Sequence, residues 1–166
     1  MIKPLKTLIL LLLCVAVAST SCKKKKTTPA APTFDQLSLA DIKSQDAAFS
    51  DPANTGAIFY NDPTEMRTFK VGSILFLKNP APTLHYAKLE ILSVSGTQLV
   101  FNYMAYSDTG AEMVSKKEVT ITAGIDDFAS WTGLHNADAI TCSIFLRSNP
   151  KIFINSNTAY LLVAQP

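Results

Sequence analysis

The chain has 166 residues, a formal net charge of +2, 48% hydrophobic and 17% charged side chains. That content is too apolar for a disordered chain and supports one ordinary core. Three cysteines, Cys14, Cys22 and Cys142, are too few for a disulfide framework. The first element is an apolar segment. Lys3 and Lys6 supply positive charge, Leu5 to Ala18 is almost wholly apolar with the run Leu8 to Leu13 at its centre, and Ser19, Thr20 and Ser21 follow. A membrane-spanning helix needs about 20 apolar residues, so this segment is too short for a permanent span. It is apolar on every face and leads into a polar linker, which argues against a core helix. The charged, apolar, small-residue order is that of a secretory signal.

The junction Ala18-Ser19-Thr20-Ser21-Cys22 resembles the lipobox of Gram-negative bacterial lipoproteins. The resemblance implies removal of residues 1–21, a diacylglycerol on the Cys22 sulfur and acylation of the new amino group. The commonest lipobox has Leu three residues before the cysteine and Gly or Ala just before it; Ser19 and Ser21 hold those places here. In this family Asp after the cysteine retains the protein at the inner membrane, so Lys23 implies the outer membrane. Surface-export signals there are often acidic, so Lys23–Lys26 favours the periplasmic face. Two or more acyl chains anchor stably where one does not. Each nearby lysine adds roughly 1 kcal/mol at an anionic leaflet.

The same processing accounts for the cysteines. Cys14 leaves with the signal and Cys22 becomes a thioether, so no internal disulfide is expected. Cys142, within Ile140 to Leu146, reads as a small core residue on a buried strand. No Cys-His-Asn protease signature surrounds it. Residues 22–33 form a basic tether that becomes Pro- and Thr-rich from Thr27. A single domain is expected over residues 34–166. From Phe34 onward there are 9 basic side chains against 13 acidic ones. This mildly acidic domain lacks the basic patch of a nucleic-acid binder, and no nucleic-acid partner is expected.

The domain reads as mainly β. Ser38 to Phe49 predicts a helix, with Ser38 as N-cap, Asp41 as an imperfect capping-box partner, and Leu39, Ile42 and Phe49 on one side. Pro52, Pro63, Pro80, Pro82 and Pro150 separate apolar runs, as proline does between strands. Strands are expected at Ala57–Tyr60, Ser73–Leu77, Tyr86–Val94, Gln98–Tyr106, Glu118–Thr122, Thr141–Leu146, Ile152–Ile154 and Ala159–Val163. The clearest unit is the Tyr86–Tyr106 hairpin. Lys88 and Glu90 share one face and Leu89 and Ile91 the other, while Gly96 suits a turn with positive φ. Tyr86, Tyr103 and Tyr106 are candidates for cross-strand pairs. Ser107 to Gly110 signals another turn, and Asp126 to Trp131 predicts one helical turn after Gly124. The expected architecture is a single antiparallel β-sandwich or barrel-like domain with one or two short helices.

Chemical signals are sparse. The chain has no Gly-rich phosphate loop, no Gly-x-Ser-x-Gly elbow and no His-Glu-x-x-His motif. Asp126-Asp127 fits a helix N-terminus better than a calcium loop. His85 and His135 are far apart in sequence, and no metal site or cofactor is called on them. Trp131 is the only tryptophan; in a loop it offers a stacking surface, but a large aromatic that plugs the core under the loop is the favoured reading. A small β domain on a lipid anchor with the Tyr86–Tyr106 hairpin is similar to HmuY-like haem-binding lipoproteins. That resemblance implies His85 and His135 as candidate axial ligands. The expected function is a non-catalytic cell-envelope lipoprotein with a protein or glycan partner. A small-ligand carrier, for example of haem, is the alternative, and an envelope hydrolase comes third.

Overall fold

The computed structural model describes residues 30–55, 59–60, 68–79, 85–137, 142–147, 151–155 and 157–166. Within Ala31–Pro166 the described strands, in chain order, are β1 (Phe59–Tyr60), β2 (Thr68–Phe69), β3 (Ile74–Asn79), β4 (His85–Val94), β5 (Gln98–Ser107), β6 (Glu112–Thr122), β7 (Asp127–Ala129), β8 (Leu134–His135), β9 (Ile144–Arg147), β10 (Lys151–Ile154) and β11 (Ala159–Ala164). One antiparallel sheet runs β11-β3-β4-β5-β6 and a second β10-β9-β7-β8, while β1 and β2 pair in parallel. The sheets do not close on themselves, so the sandwich rather than the barrel form of the expected fold is present. The parallel β1–β2 pair departs from a wholly antiparallel domain. Ala57, Pro63, Pro80, Pro82 and Pro150 lie outside the described residues.

Strand β3 explains why the large sheet is covered on both sides. Ile74-Leu75-Phe76-Leu77 is a continuous apolar run, and all four residues are buried. Such a run marks a strand buried on both faces. Leu75 and Leu77 join Leu89, Ile91, Phe101 and Tyr103 in the core shared with Phe128, Ile144, Leu146, Ile152 and Ile154 of the small sheet. Ile74 and Phe76 belong to a second cluster with Tyr86, Phe34, Leu37, Ile42 and Phe49. Fully burying one such side chain contributes about 1.5–3 kcal/mol, so the N-terminal cap is part of the folded domain.

That cap holds two short helices, α1 (Leu39–Lys43) and α2 (Asp46–Phe49), where the sequence predicts one. The capping box forms as expected: Ser38 N–H donates to Asp41 Oδ2 at 2.7 Å and Asp41 N–H to Ser38 Oγ at 3.4 Å. The helix breaks at Ser44, whose hydroxyl donates to Asp41 O at 2.6 Å. Serine side chains compete in this way for helical carbonyls.

The β4–β5 hairpin has the expected registration, with Tyr86 opposite Tyr106 and Leu89 opposite Tyr103. Tyr86 and Tyr106 therefore pair across strands, whereas Tyr103 points into the sandwich core. Its turn closes without a positive φ at Gly96. Ser95 N–H donates to Gln98 O at 2.8 Å and Gln98 N–H to Ser95 Oγ at 3.1 Å, so a serine side chain supplies the turn chemistry.

The face shared by Lys88 and Glu90 is not a free polar face, because the cap lies on it. Lys88 is 2% exposed, and its Nζ donates to Phe34 O at 2.6 Å and Leu37 O at 2.7 Å. Strand β6 begins six residues before the expected Glu118, at Glu112. A bulge interrupts it: Glu118 has φ 57°, and its N–H donates to Asn102 Oδ1 at 2.9 Å. Bulges and the charged Lys116, Lys117 and Glu118 blunt this edge strand against pairing with other chains.

Candidate functional site

Of the three sequence candidates, His135 lies on β8 of the small sheet, Trp131 in the turn before it, and His85 at the start of β4 in the large sheet. The predicted helical turn over Asp126–Trp131 is absent; Asp127–Ala129 is β7, and Ser130 to Gly133 turn the chain into β8. The cause is pairing: Phe128 sits between Ile144 of β9 and His135 of β8, and this ladder outweighs any local helical preference. The two aspartates consequently do not cap a helix. Asp126 Oδ2 accepts from Thr122 N–H at 3.2 Å, while Asp127 lies 3.9 Å from Arg147. Asn136, with φ 56°, belongs to the same turn, and with its amide nitrogen turned toward Asp126 it donates to Asp126 Oδ1 and Ile125 O.

Trp131 is 8% exposed and belongs to the sandwich core, so its ring fills the core beneath the β7–β8 turn. His85, half-buried at the start of β4, lies against it with ring centroids 6.0 Å apart and planes tilted by 32°. His135 is exposed on β8, and its ring meets Phe128 edge-on at 5.5 Å. Each histidine packs on a different aromatic ring, and among the described residues no ring contact joins the two. Nor do the described residues hold a group of three or more His, Cys, Asp or Glu side chains placed to bind a metal ion.

Phe128 also meets Tyr103 at 4.6 Å and Phe101 at 5.0 Å, forming the aromatic centre of the core. The Tyr103 hydroxyl is buried and has no hydrogen-bond partner among the described residues. Burial holds its phenol above the usual range. Gly133 covers it: a Cβ there would lie 2.5 Å from Tyr103 Oη and 3.2 Å from Val114. The core void lined by Leu75, Leu77, Leu89, Ile91, Leu99, Ile144, Ile152 and Ile154 measures about 10 Å³. A void of that size and lining is too small for an organic ligand and has no polar partner for water.

A larger concavity lies on the opposite face of the large sheet. This groove of about 330 Å³ has Phe76, Leu161 and Val163 on its sheet side, and Leu37, Asp41, Ser44 and Gln45 along the cap. Apolar residues with a few polar side chains at the margin are the usual composition of a binding groove. Asp41 is its charged group, and the hydrogen bonds from the Ser38 side chain and backbone hold its carboxyl below the usual range. The sequence signals for this groove were the apolar spacing in the cap and the doubly buried run in β3. Neither says which strands the cap crosses.

Cys142 is buried just before β9, in agreement with a core thiol. Burial is the main cause of its raised pKa, with Asp127 adding to it. Cys22 and Lys23–Lys26 lie outside the described residues. No family model, curated protein or solved structure matches this chain.

Proposed function

We propose that the chain is a lipid-anchored protein of the bacterial cell envelope, held at Cys22 and carrying a non-catalytic binding domain. The observation that carries this reading is the order of the N-terminal residues: Lys3 and Lys6, the apolar Leu5–Ala18, the small Ser19 to Ser21, then Cys22 and four lysines. No other arrangement in the sequence has so direct a physical consequence, since a multiply acylated cysteine keeps its protein at a bilayer. The Lys23 position favours the outer membrane, with the domain on the periplasmic side. A binding role is supported by the groove beside α1, whose side chains pair an apolar floor with a polar margin. An envelope protein or glycan is the partner class.

Fractionation of cells carrying wild-type or Cys22→Ser protein tests the anchor. Wild type is expected in the outer-membrane fraction and the variant in the soluble periplasm. Equal partition of the two would remove the proposal. A small-ligand carrier is the second reading, supported by His85 and His135 each lying against an aromatic ring. Its haem form requires a Soret change on titration that is lost in the His85→Ala, His135→Ala double variant. No Soret change, or one indifferent to both substitutions, would sink it.

A further inference from the structure

Lys88 sits on the central part of β4, between β3 and β5, and is almost wholly buried. A charge in that position is unfavourable unless its donors are used. Both of its hydrogen bonds go to one short segment, the Phe34 and Leu37 carbonyls, at 2.6 and 2.7 Å. The same ammonium lies 4.3 Å from the centroid of the Phe34 ring. Asp35, Asp41, Glu112 and Lys117 are the surrounding charges. The other tie near this segment, Lys117 to Asp35 at 3.4 Å, is between side chains 64% and 74% exposed, and such pairs hold weakly. The segment's apolar attachment is the burial of Phe34 and Leu37, 4% and 8% exposed, in the cluster that also holds Ile42 of α1.

Phe34 also opens the domain directly after the tether. Thr33 and Gln36 close its first turn, Thr33 N–H donating to Gln36 Oε1 at 2.9 Å. We propose that Lys88 is a clasp, and that Phe34–Ser38 is a releasable strap between tether and domain. With the clasp closed, the tether joins the domain at Phe34, over the middle of the large sheet. With it open, the strap adds to the tether and the junction moves to α1. Five extended residues lengthen the reach by about 15–18 Å. The membrane consequence rests on the proposed anchor at Cys22; the clasp itself does not.

The mechanism needs no bond-breaking chemistry. Opening removes two charge-assisted hydrogen bonds and the cation–ring contact together and exposes the buried Phe34 and Leu37 side chains, while hydration of the ammonium offsets part of that loss. The strap is therefore expected to open locally while the sandwich stays folded.

Hydrogen exchange by mass spectrometry on the full chain tests this. In Lys88→Met, which keeps the apolar stem and removes the donors, peptides covering residues 33–38 are expected to exchange roughly tenfold faster or more. Peptides covering β4 and β5 are expected to keep wild-type protection. Phe34→Leu changes the strap alone, leaves the sheet intact, and is expected to raise exchange in the same peptides severalfold. Unchanged strap exchange in both variants would overturn the clasp. So would loss of β4–β5 protection in Lys88→Met together with no strap effect in Phe34→Leu. On supported bilayers, wild type and Lys88→Met are both expected to bind through the anchor at Cys22. Protein that fails to bind the bilayer would overturn the anchor and leave the exchange result standing.

Discussion

Gly133 takes φ +65° and has the Tyr103 hydroxyl where a Cβ would go. Gly133→Ala therefore combines an unfavourable backbone angle with a steric clash, and is expected to destabilise the domain by about 1–3 kcal/mol in chemical denaturation. Tyr103→Phe removes a buried hydroxyl that has no partner among the described residues, so it is expected to change stability by less than about 1 kcal/mol. Placed together, the two changes should be less harmful than their sum, because the clash loses its oxygen. Strict additivity would show that the hydroxyl and Gly133 do not meet. Cys142 supplies another residue-scale outcome. Its burial and raised pKa predict slow thiol modification at pH 8 in the native protein and rapid modification in denaturant. Rapid native labelling assigned to Cys142 would contradict its core position. Individual residues were readable where local chemistry decided them: Ser38 and Asp41 form the capping box, and Cys142 is a core side chain. Trp131 fills the core under its loop, which was the favoured reading, whereas Lys88 was not readable, since its environment comes from a segment distant in sequence. Nothing near Lys88 announces the Phe34 and Leu37 carbonyls that surround it.

The N-terminal cap and the β4–β5 hairpin show what governs individual elements. Ser38→Ala removes the hydroxyl that accepts from Asp41 N–H and is expected to cost about 1 kcal/mol, with loss of exchange protection confined to α1. An unchanged α1 would mean that packing of Ile42 alone holds it. For the strap, burial is the first cause of the lowered Lys88 pKa, partly offset by Asp35. A cation with a lowered folded pKa carries its penalty below that pKa and is relieved as pH rises toward the unfolded value near 10.5. Wild type is accordingly expected to gain stability relative to Lys88→Met as pH rises toward 10.5, measured by denaturation at several pH values. A wild type that instead loses stability relative to Lys88→Met over that range would show that the charged form is the one the fold prefers. Alternation made β4 and β5 legible in the sequence, and turn formers fixed their ends. Strands β7 and β8 were hidden, because two- and three-residue strands carry no period; β7 forms between β9 and β8, and β8 pairs with β7. Polar Lys116 and Lys117 likewise obscured the first half of β6, an edge strand whose exposed positions need no apolar pattern.

At the scale of the whole molecule, a sheet covered on both faces places the small sheet on one side and the cap on the other. Short β-branched and aromatic runs set off by proline and turn signals were enough to indicate a β-rich sandwich or barrel. The layer order was not readable, because period-two patterning does not identify which partner covers a face. Burial is the leading cause of raised pKa values at Tyr86, Tyr103 and Tyr106, with Asp46 and Glu112 contributing at the first and last. These phenols stay protonated in the fold at pH values where the unfolded chain ionises. Their contribution is therefore lost as pH rises above about 10, and global stability is expected to fall there. The groove beside α1 and the lysine-rich tether belong to one proposed assembly, a binding domain held at a bilayer by Cys22. Its most direct test is intact and N-terminal mass spectrometry of the mature protein from a Gram-negative host. The predicted result is a chain beginning at Cys22, with residues 1–21 gone and the mass of a diacylglycerol plus an amide-linked acyl chain on that residue. A mature wild-type chain with an unmodified Cys22, or one that retains Met1, would contradict it.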